Sequence, residues 1–189
     1  MRPARWTATA AALGAAVGTA YALQRSAARR WQVGEHDLIA GGRTLPPDLE
    51  HHFVSVDDGG RIHAVERGSG SPIVLVHGIT LGVATWAPQL RQLGDRHRVI
   101  AVSQRGHGQS LAGDDGYTFE RLADDLLEVL RALDVTGGLL VAHSMGGMVA
   151  QLLAVRRPYE LTRHVRGLVL VSTTAGPVVP GPGGVLVGA

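Results

Sequence analysis

Residues 139–149 read LLVAHSMGGMV, an apolar run that stops at Ser144 among small residues. Ala142-His143-Ser144-Met145-Gly146 is a one-residue variant of the G-x-S-x-G turn that presents a nucleophilic serine between a strand and a helix. The spacing has a steric origin. On so tight a turn the residues two before and two after the serine must be small, and Ala142 and Gly146 meet that need. A serine hydroxyl becomes a nucleophile when a base takes its proton. Attack on a carbonyl also calls for backbone N–H groups where the oxyanion forms. The segment His77-Gly78-Ile79-Thr80 follows a second apolar run, PIVLV, and offers the Ile79 amide. The Met145 amide is the second candidate, and the helix beginning there turns its positive end on the same spot.

Beyond Ser144 the chain has one acid, Glu160, and one histidine, His164. Both precede the apolar run 167–172, which places them at the amino end of a strand while Ser144 lies past the carboxyl end of its neighbour. At roughly 3.3 Å per residue that separation is about 20 Å, too far for proton transfer. His143 and His107, at the ends of expected strands, are the remaining candidate partners. His143, on the strand before the serine, is expected to point to the opposite side of the turn.

The elements that must position these groups follow from hydrophobic period. Phe53–Val56 and Arg61–Glu66 flank Asp57-Asp58-Gly59-Gly60 and predict a hairpin. PIVLV, residues 97–102, LLVAH and residues 167–172 are continuous apolar runs of the kind found in strands buried on both faces. Between them, helices are expected over 86–93, over 118–133, and from Met145 to a stop at Pro158. In the second of these, Glu120, Asp124, Asp125 and Arg131 are expected on the polar face. A hairpin followed by alternating strands and helices predicts an α/β fold with a mostly parallel sheet. In such sheets functional groups gather beyond the carboxyl ends of the strands.

Composition narrows the class. The 189 residues are 45% hydrophobic and 18% charged, with a net charge of +2, which suits one globular core. The eighteen basic residues are all Arg and are scattered among sixteen acids. No basic run interleaved with aromatics marks a nucleic-acid surface, so no nucleic-acid partner is expected. The absence of Cys removes disulfides, thiolate catalysis and Cys-based zinc sites. The nine His show no metal-ligand spacing, so neither metal nor other cofactor is expected.

Residues 6–23, WTATAAALGAAVGTAYAL, carry no charge and are flanked by Arg on both sides. The length suggests a membrane anchor at the lower limit of a bilayer span, a signal segment cleaved to release a secreted protein, or a plain Ala-rich helix. Domain expectations are therefore an anchor or signal segment over 1–30, a linker over 31–50, a core over 51–176 and a Pro/Gly-rich tail over 177–189.

PIVLVHGIT, VSQRGHGQS, LLVAHSMGG and LVLVSTTAG, in this order after a hairpin, resemble the α/β-hydrolase family over residues 51–176. Where the family usually has D-x-R-G-x-G-x-S, this chain has Ser103 in place of the first Asp. The resemblance implies the α/β-hydrolase fold and an esterase- or lipase-like serine hydrolase acting on carboxylic esters of small or lipid-like substrates. It implies Ser144 as nucleophile and the Ile79 and Met145 amides as oxyanion hole, supported by His77, Gly78, His143 and Gly146. In the family the catalytic acid and His follow the serine on later strands. The resemblance thus implies a chain ending before the cap and the last two strands, with a catalytically inactive remnant or a membrane-tethered binding module as alternatives. Oligomeric state is left open.

Overall fold

The computed structural model describes Gly42 and residues 44–175. The chain divides into two units, Met1–Gly42 and Arg43–Ala189, and the described strands and helices all lie in the second. Strands β1 (Glu50–Ser55) and β2 (Arg61–Arg67) form the expected hairpin. Then come β3 (Pro72–Val76), a short 3-10 turn at Val83–Trp86, α1 (Ala87–Leu93) and β4 (Arg98–Val102). They are followed by α2 (Phe119–Ala132), β5 (Gly138–His143), α3 (Met145–Arg156), α4 (Pro158–His164) and β6 (Val165–Val171). The six strands make one sheet in the order β1-β2-β4-β3-β5-β6, antiparallel through β2 and β4 and parallel from β4 onward. The chain passes from β3 to β4 on one side and returns to β5 on the other. The carboxyl ends of β3 and β5 therefore flank a switch point, where loops diverge and leave a crevice.

The two-residue alternation of each strand feeds two cores. Val74, Val76, Ile100 and Leu140 pack under α2 and α3 with Leu126, Leu130, Val149 and Leu153. Ile73, Leu75, Val99 and Ala101 face α1 with Trp86 and Leu90. Covering both faces explains the continuous apolar runs. Leu45 and Leu49, ahead of β1, also pack on the second core.

Three expectations need correction. Asp125 was placed on the polar face of α2, yet it is 3% exposed. It is held inward by Arg105 and Arg121, a pairing between residues distant in sequence that helical period does not reveal. The helix from Met145 stops ahead of Pro158 as expected, and Pro158 opens a further helix, α4, where its missing N–H costs nothing in the first turn. The run 167–172 was expected to be buried on both faces. In β6, Leu168, Val169, Leu170 and Val171 are instead 36–43% exposed, because β5 is the only neighbouring strand among the described residues.

The third correction concerns the membrane anchor and the membrane localisation drawn from it. Among the described residues no helix is long and apolar enough to cross a membrane. Residues 6–23 lie outside the described residues. Their run holds few strongly apolar aliphatics beyond Leu13, Val17 and Leu23, which is little to drive insertion. The membrane reading is withdrawn.

Candidate active site

Ser144 stands between β5 and α3 with φ +50° and ψ −119°, a backbone conformation that L-residues rarely adopt. Strained conformations of this kind persist only where the surroundings hold them. Here the Ser144 amide donates to the Val171 carbonyl at 2.9 Å, and its carbonyl accepts from Thr173 Oγ1 at 2.7 Å. The chain then doubles back so closely that a Cβ at Gly146 would lie 2.6 Å from the His77 carbonyl oxygen. Ala142 is fully buried beneath the turn. The steric argument for small residues on either side of the serine thus has named neighbours.

The His77–Thr80 segment leaves β3 beside this turn. A Cβ at Gly78 would stand 3.0 Å from both Ser144 Cβ and His143 Nδ1. The His143 ring thus lies against the same glycine as Ser144 Cβ. Its Nδ1 is buried without a hydrogen-bond partner. Gly78 and Leu81 close a turn at 3.3 Å in which Thr80 takes φ +60° and Ile79 is exposed. Met145 opens α3, so its N–H has no partner within the helix.

His77 is fully buried and fully engaged. Its Nδ1 donates to the Gly78 carbonyl at 2.7 Å, and its Nε2 accepts from the Gln104 amide at 3.0 Å. Burial pushes its pKa down to about 4, with the neighbouring His107 and His143 acting in the same direction. The ring is neutral and both nitrogens are occupied, so it does not act as a base. His107 packs its ring against His77 at 5.1 Å and donates from Nδ1 to the Arg105 carbonyl.

His164 donates to the Val135 carbonyl at 2.8 Å, at the amino end of β5, and Glu160 pairs with Arg131 at 2.8 Å. Neither approaches the serine. No described imidazole is hydrogen-bonded to Ser144 Oγ. Among the described residues no group of three or more His, Asp or Glu could hold a metal ion.

The loop after β4 carries the largest charge cluster in the described chain. Arg105, fully buried, donates to Asp58 at 2.6 and 2.9 Å and to Asp125 at 2.7 and 2.8 Å. This tie fixes the Gln104 end of the loop that grips His77. Ser103, in the place where the motif usually has Asp, is buried with its Oγ unpartnered.

An alpha/beta hydrolase fold model matches residues 71–183. The chain belongs to the α/β-hydrolase family. It is 45% identical over 91 residues to a non-heme chloroperoxidase from Kitasatospora aureofaciens, covering 48% of this chain and 33% of that protein. It is 39% identical over 117 residues to 2-(acetamidomethylene)succinate hydrolase from Mesorhizobium japonicum, covering 60% and 42%. Among solved α/β-hydrolases, an esterase from Exiguobacterium antarcticum superposes with a TM-score of 0.62 at 31% identity, covering 67% of this chain and 46% of that one. An epoxide hydrolase from Vigna radiata gives 0.63 at 28% identity, covering 72% and 42%. The chain spans less than half the length of these family members.

Sequence reasoning missed Gln104, Gln151 and Thr173. Gln104 Nε2 donates to the His77 carbonyl at 2.6 Å, and Gln151 Nε2 bridges the Gly147 and Thr174 carbonyls at 3.1 Å each. Thr173 stood at an expected strand end, but nothing in its neighbours along the chain pairs it with Ser144.

Proposed function

We propose that Ser144 is the nucleophile of a serine hydrolase acting on carboxylic esters or related acyl compounds of small molecules. The hydroxyl oxygen attacks the acyl carbon as its proton passes to a base, and the carbonyl π pair moves onto oxygen. The resulting oxyanion is taken by the Ile79 and Met145 amides, and collapse of the intermediate expels the alkoxide, which is protonated as it leaves. Water then hydrolyses the acyl-serine. The observation that carries the reading is Ser144 held at φ +50° against the Gly78 loop. Among relatives, the esterase and the succinate-derivative hydrolase fit it by name.

A second reading is a non-catalytic binding module, favoured by the lack of a described histidine hydrogen-bonded to Ser144 Oγ. A fluorophosphonate probe decides between them. An oriented serine facing two amides retains residual reactivity even without its base, because part of the rate enhancement of triad enzymes survives loss of triad members. Expected is labelling of Ser144 in preference to the other serines, its loss in Ser144→Ala, and faster labelling with added imidazole as a surrogate base. Equal labelling of all serines would sink the nucleophile reading and leave the binding module.

A further inference from the structure

The Gly78–Ile79 and Ser144–Met145 peptide groups, whose N–H groups are the proposed oxyanion donors, share an arrangement. Each is gripped at its carbonyl end by a side-chain donor. His77 Nδ1 donates to the Gly78 oxygen at 2.7 Å, and Thr173 Oγ1 donates to the Ser144 oxygen at 2.7 Å. Ordinary backbone bonds reach the same oxygens at longer range. Leu81 N–H lies 3.3 Å from the Gly78 oxygen, and Gly147 and Met148 N–H lie 2.9 and 3.2 Å from that of Ser144.

The hydrogen-bond pattern determines the state of both donors. A carbonyl oxygen only accepts, so His77 Nδ1 must carry a hydrogen, while Nε2, receiving the Gln104 N–H, must not. The ring is thereby the neutral Nδ1–H tautomer, with no freedom to flip. Thr173 is equally constrained. It fits only because residue 147 is glycine, since a Cβ there would lie 2.5 Å from Thr173 Oγ1. Gln151 ties the next residue, Thr174, back to α3 through Gly147.

Peptide planarity supplies the link to the site. No peptide here is cis, so each N–H points opposite to the carbonyl of its own peptide group. Fixing the direction of the Gly78 oxygen fixes the Ile79 N–H, and fixing the Ser144 oxygen fixes the Met145 N–H. We infer that His77 and Thr173 are positioning residues that aim the Ile79 and Met145 amides by gripping the carbonyl ends of their peptides. The inference rests on the reading of Ser144 as an acyl-transfer nucleophile. It assigns to Thr173, which follows β6 while the serine follows β5, a part in oxyanion stabilisation that needs no contact with substrate.

The test uses the full chain with Thr173→Val, which removes the hydroxyl at nearly constant shape, and Thr173→Ser, which restores it. Two quantities are read on protein shown to be folded. One is the rate of fluorophosphonate labelling at Ser144, and the other is the residual dipolar coupling of the Met145 N–H, which reports its direction whatever the chemistry. Expected are labelling slowed roughly tenfold in Thr173→Val, less than the loss of a whole oxyanion donor, and a shifted Met145 coupling. Both should return to the parent values in Thr173→Ser. A purely structural Thr173 would lower the melting temperature while leaving the labelling rate per folded molecule and the coupling unchanged, and that result overturns the inference. If the parent chain shows no selective labelling, the nucleophile reading falls, and the coupling alone then decides whether Thr173 orients Met145. His77→Ala, with His77→Asn as the donor-restoring partner, repeats the test at Ile79. Should those buried substitutions prevent folding, the Thr173 pair remains decisive.

Discussion

Arg105, in the loop after β4, closes on Asp58, in the turn between β1 and β2, through two hydrogen bonds of 2.6 and 2.9 Å. Forty-seven residues apart in sequence, the two side chains are 0% and 4% exposed. The same guanidinium also serves Asp125 on α2, which in turn receives Arg121 at 3.1 Å. A hairpin turn, a strand-end loop and a helix are thus joined by one buried cluster of alternating charge.

Removing the central cation takes Arg105 from the buried Asp58 carboxylate and leaves Asp125 with Arg121 alone. Arg105→Met is expected to destabilise the domain by about 3 kcal/mol, the cost of breaking a buried pair from one side. Urea titration followed by circular dichroism measures it. A loss below about 1 kcal/mol would mean that water reaches the carboxylates.

Acid should act in two separate windows. His77 has its pKa depressed from 6.5 to about 4 by burial. The unfolded chain therefore binds the proton first, and stability present above pH 6.5 is lost as pH falls toward 4. At about 1.36 kcal/mol per pH unit, His77 alone accounts for roughly 3 kcal/mol, and His63, also lowered by burial, adds in the same direction. Asp58 is held well below its ordinary 3.8 by the Arg105 hydrogen bonds. Its contribution is intact above pH 3.8 and lost only as pH falls further. Urea midpoints at pH 7, 5.5, 4.5 and 3 separate the windows, and His77→Asn should flatten the upper one.

Strain at Ser144 is open to direct measurement. Its side chain caps no helix N–H, so Ser144→Ala removes the hydroxyl without removing a cap. Ser144→Gly also removes the Cβ that makes φ +50° unfavourable. Ser144→Gly is expected to be more stable than Ser144→Ala by about 1 kcal/mol. Equal stability of the two variants would show that the turn relaxes.

Gly146→Ala should do the reverse. The added methyl would meet the His77 carbonyl oxygen at 2.6 Å and Val76 Cγ1 at 2.8 Å, forcing β3 and α3 apart. A loss of about 2 kcal/mol is expected, read as a lowered thermal midpoint. An unchanged midpoint would disprove the close approach of α3 to the end of β3.

The apolar residues of β6 predict a solubility defect. Leu168 to Val171 form an exposed run on a strand whose outer edge is unpaired among the described residues, and such edges recruit other chains. Val169→Lys is expected to raise soluble yield several-fold with little change in thermal midpoint. Static light scattering on both proteins provides the check.

The parallel sheet and the tight turn at Ser144 were legible in the sequence because their signals are local. A short apolar run bounded by turn residues reads as a strand, and a serine between small residues at a strand end reads as a tight turn. The motif signals the turn, while the atoms that crowd Gly146, the His77 carbonyl oxygen and Val76 Cγ1, come from the distant end of β3. Tertiary structure alone decided that Asp125 turns inward, since its partner Arg105 lies 20 residues away. It also decided that His143 lies beside Gly78, that His77 is a locked neutral donor, and that Thr173 reaches the Ser144 carbonyl across 29 residues of chain. Hydrogen bonds and ion pairs depend on where strands are laid side by side, and that order, β4-β3-β5-β6, is a property of the folded sheet and not of any segment within it.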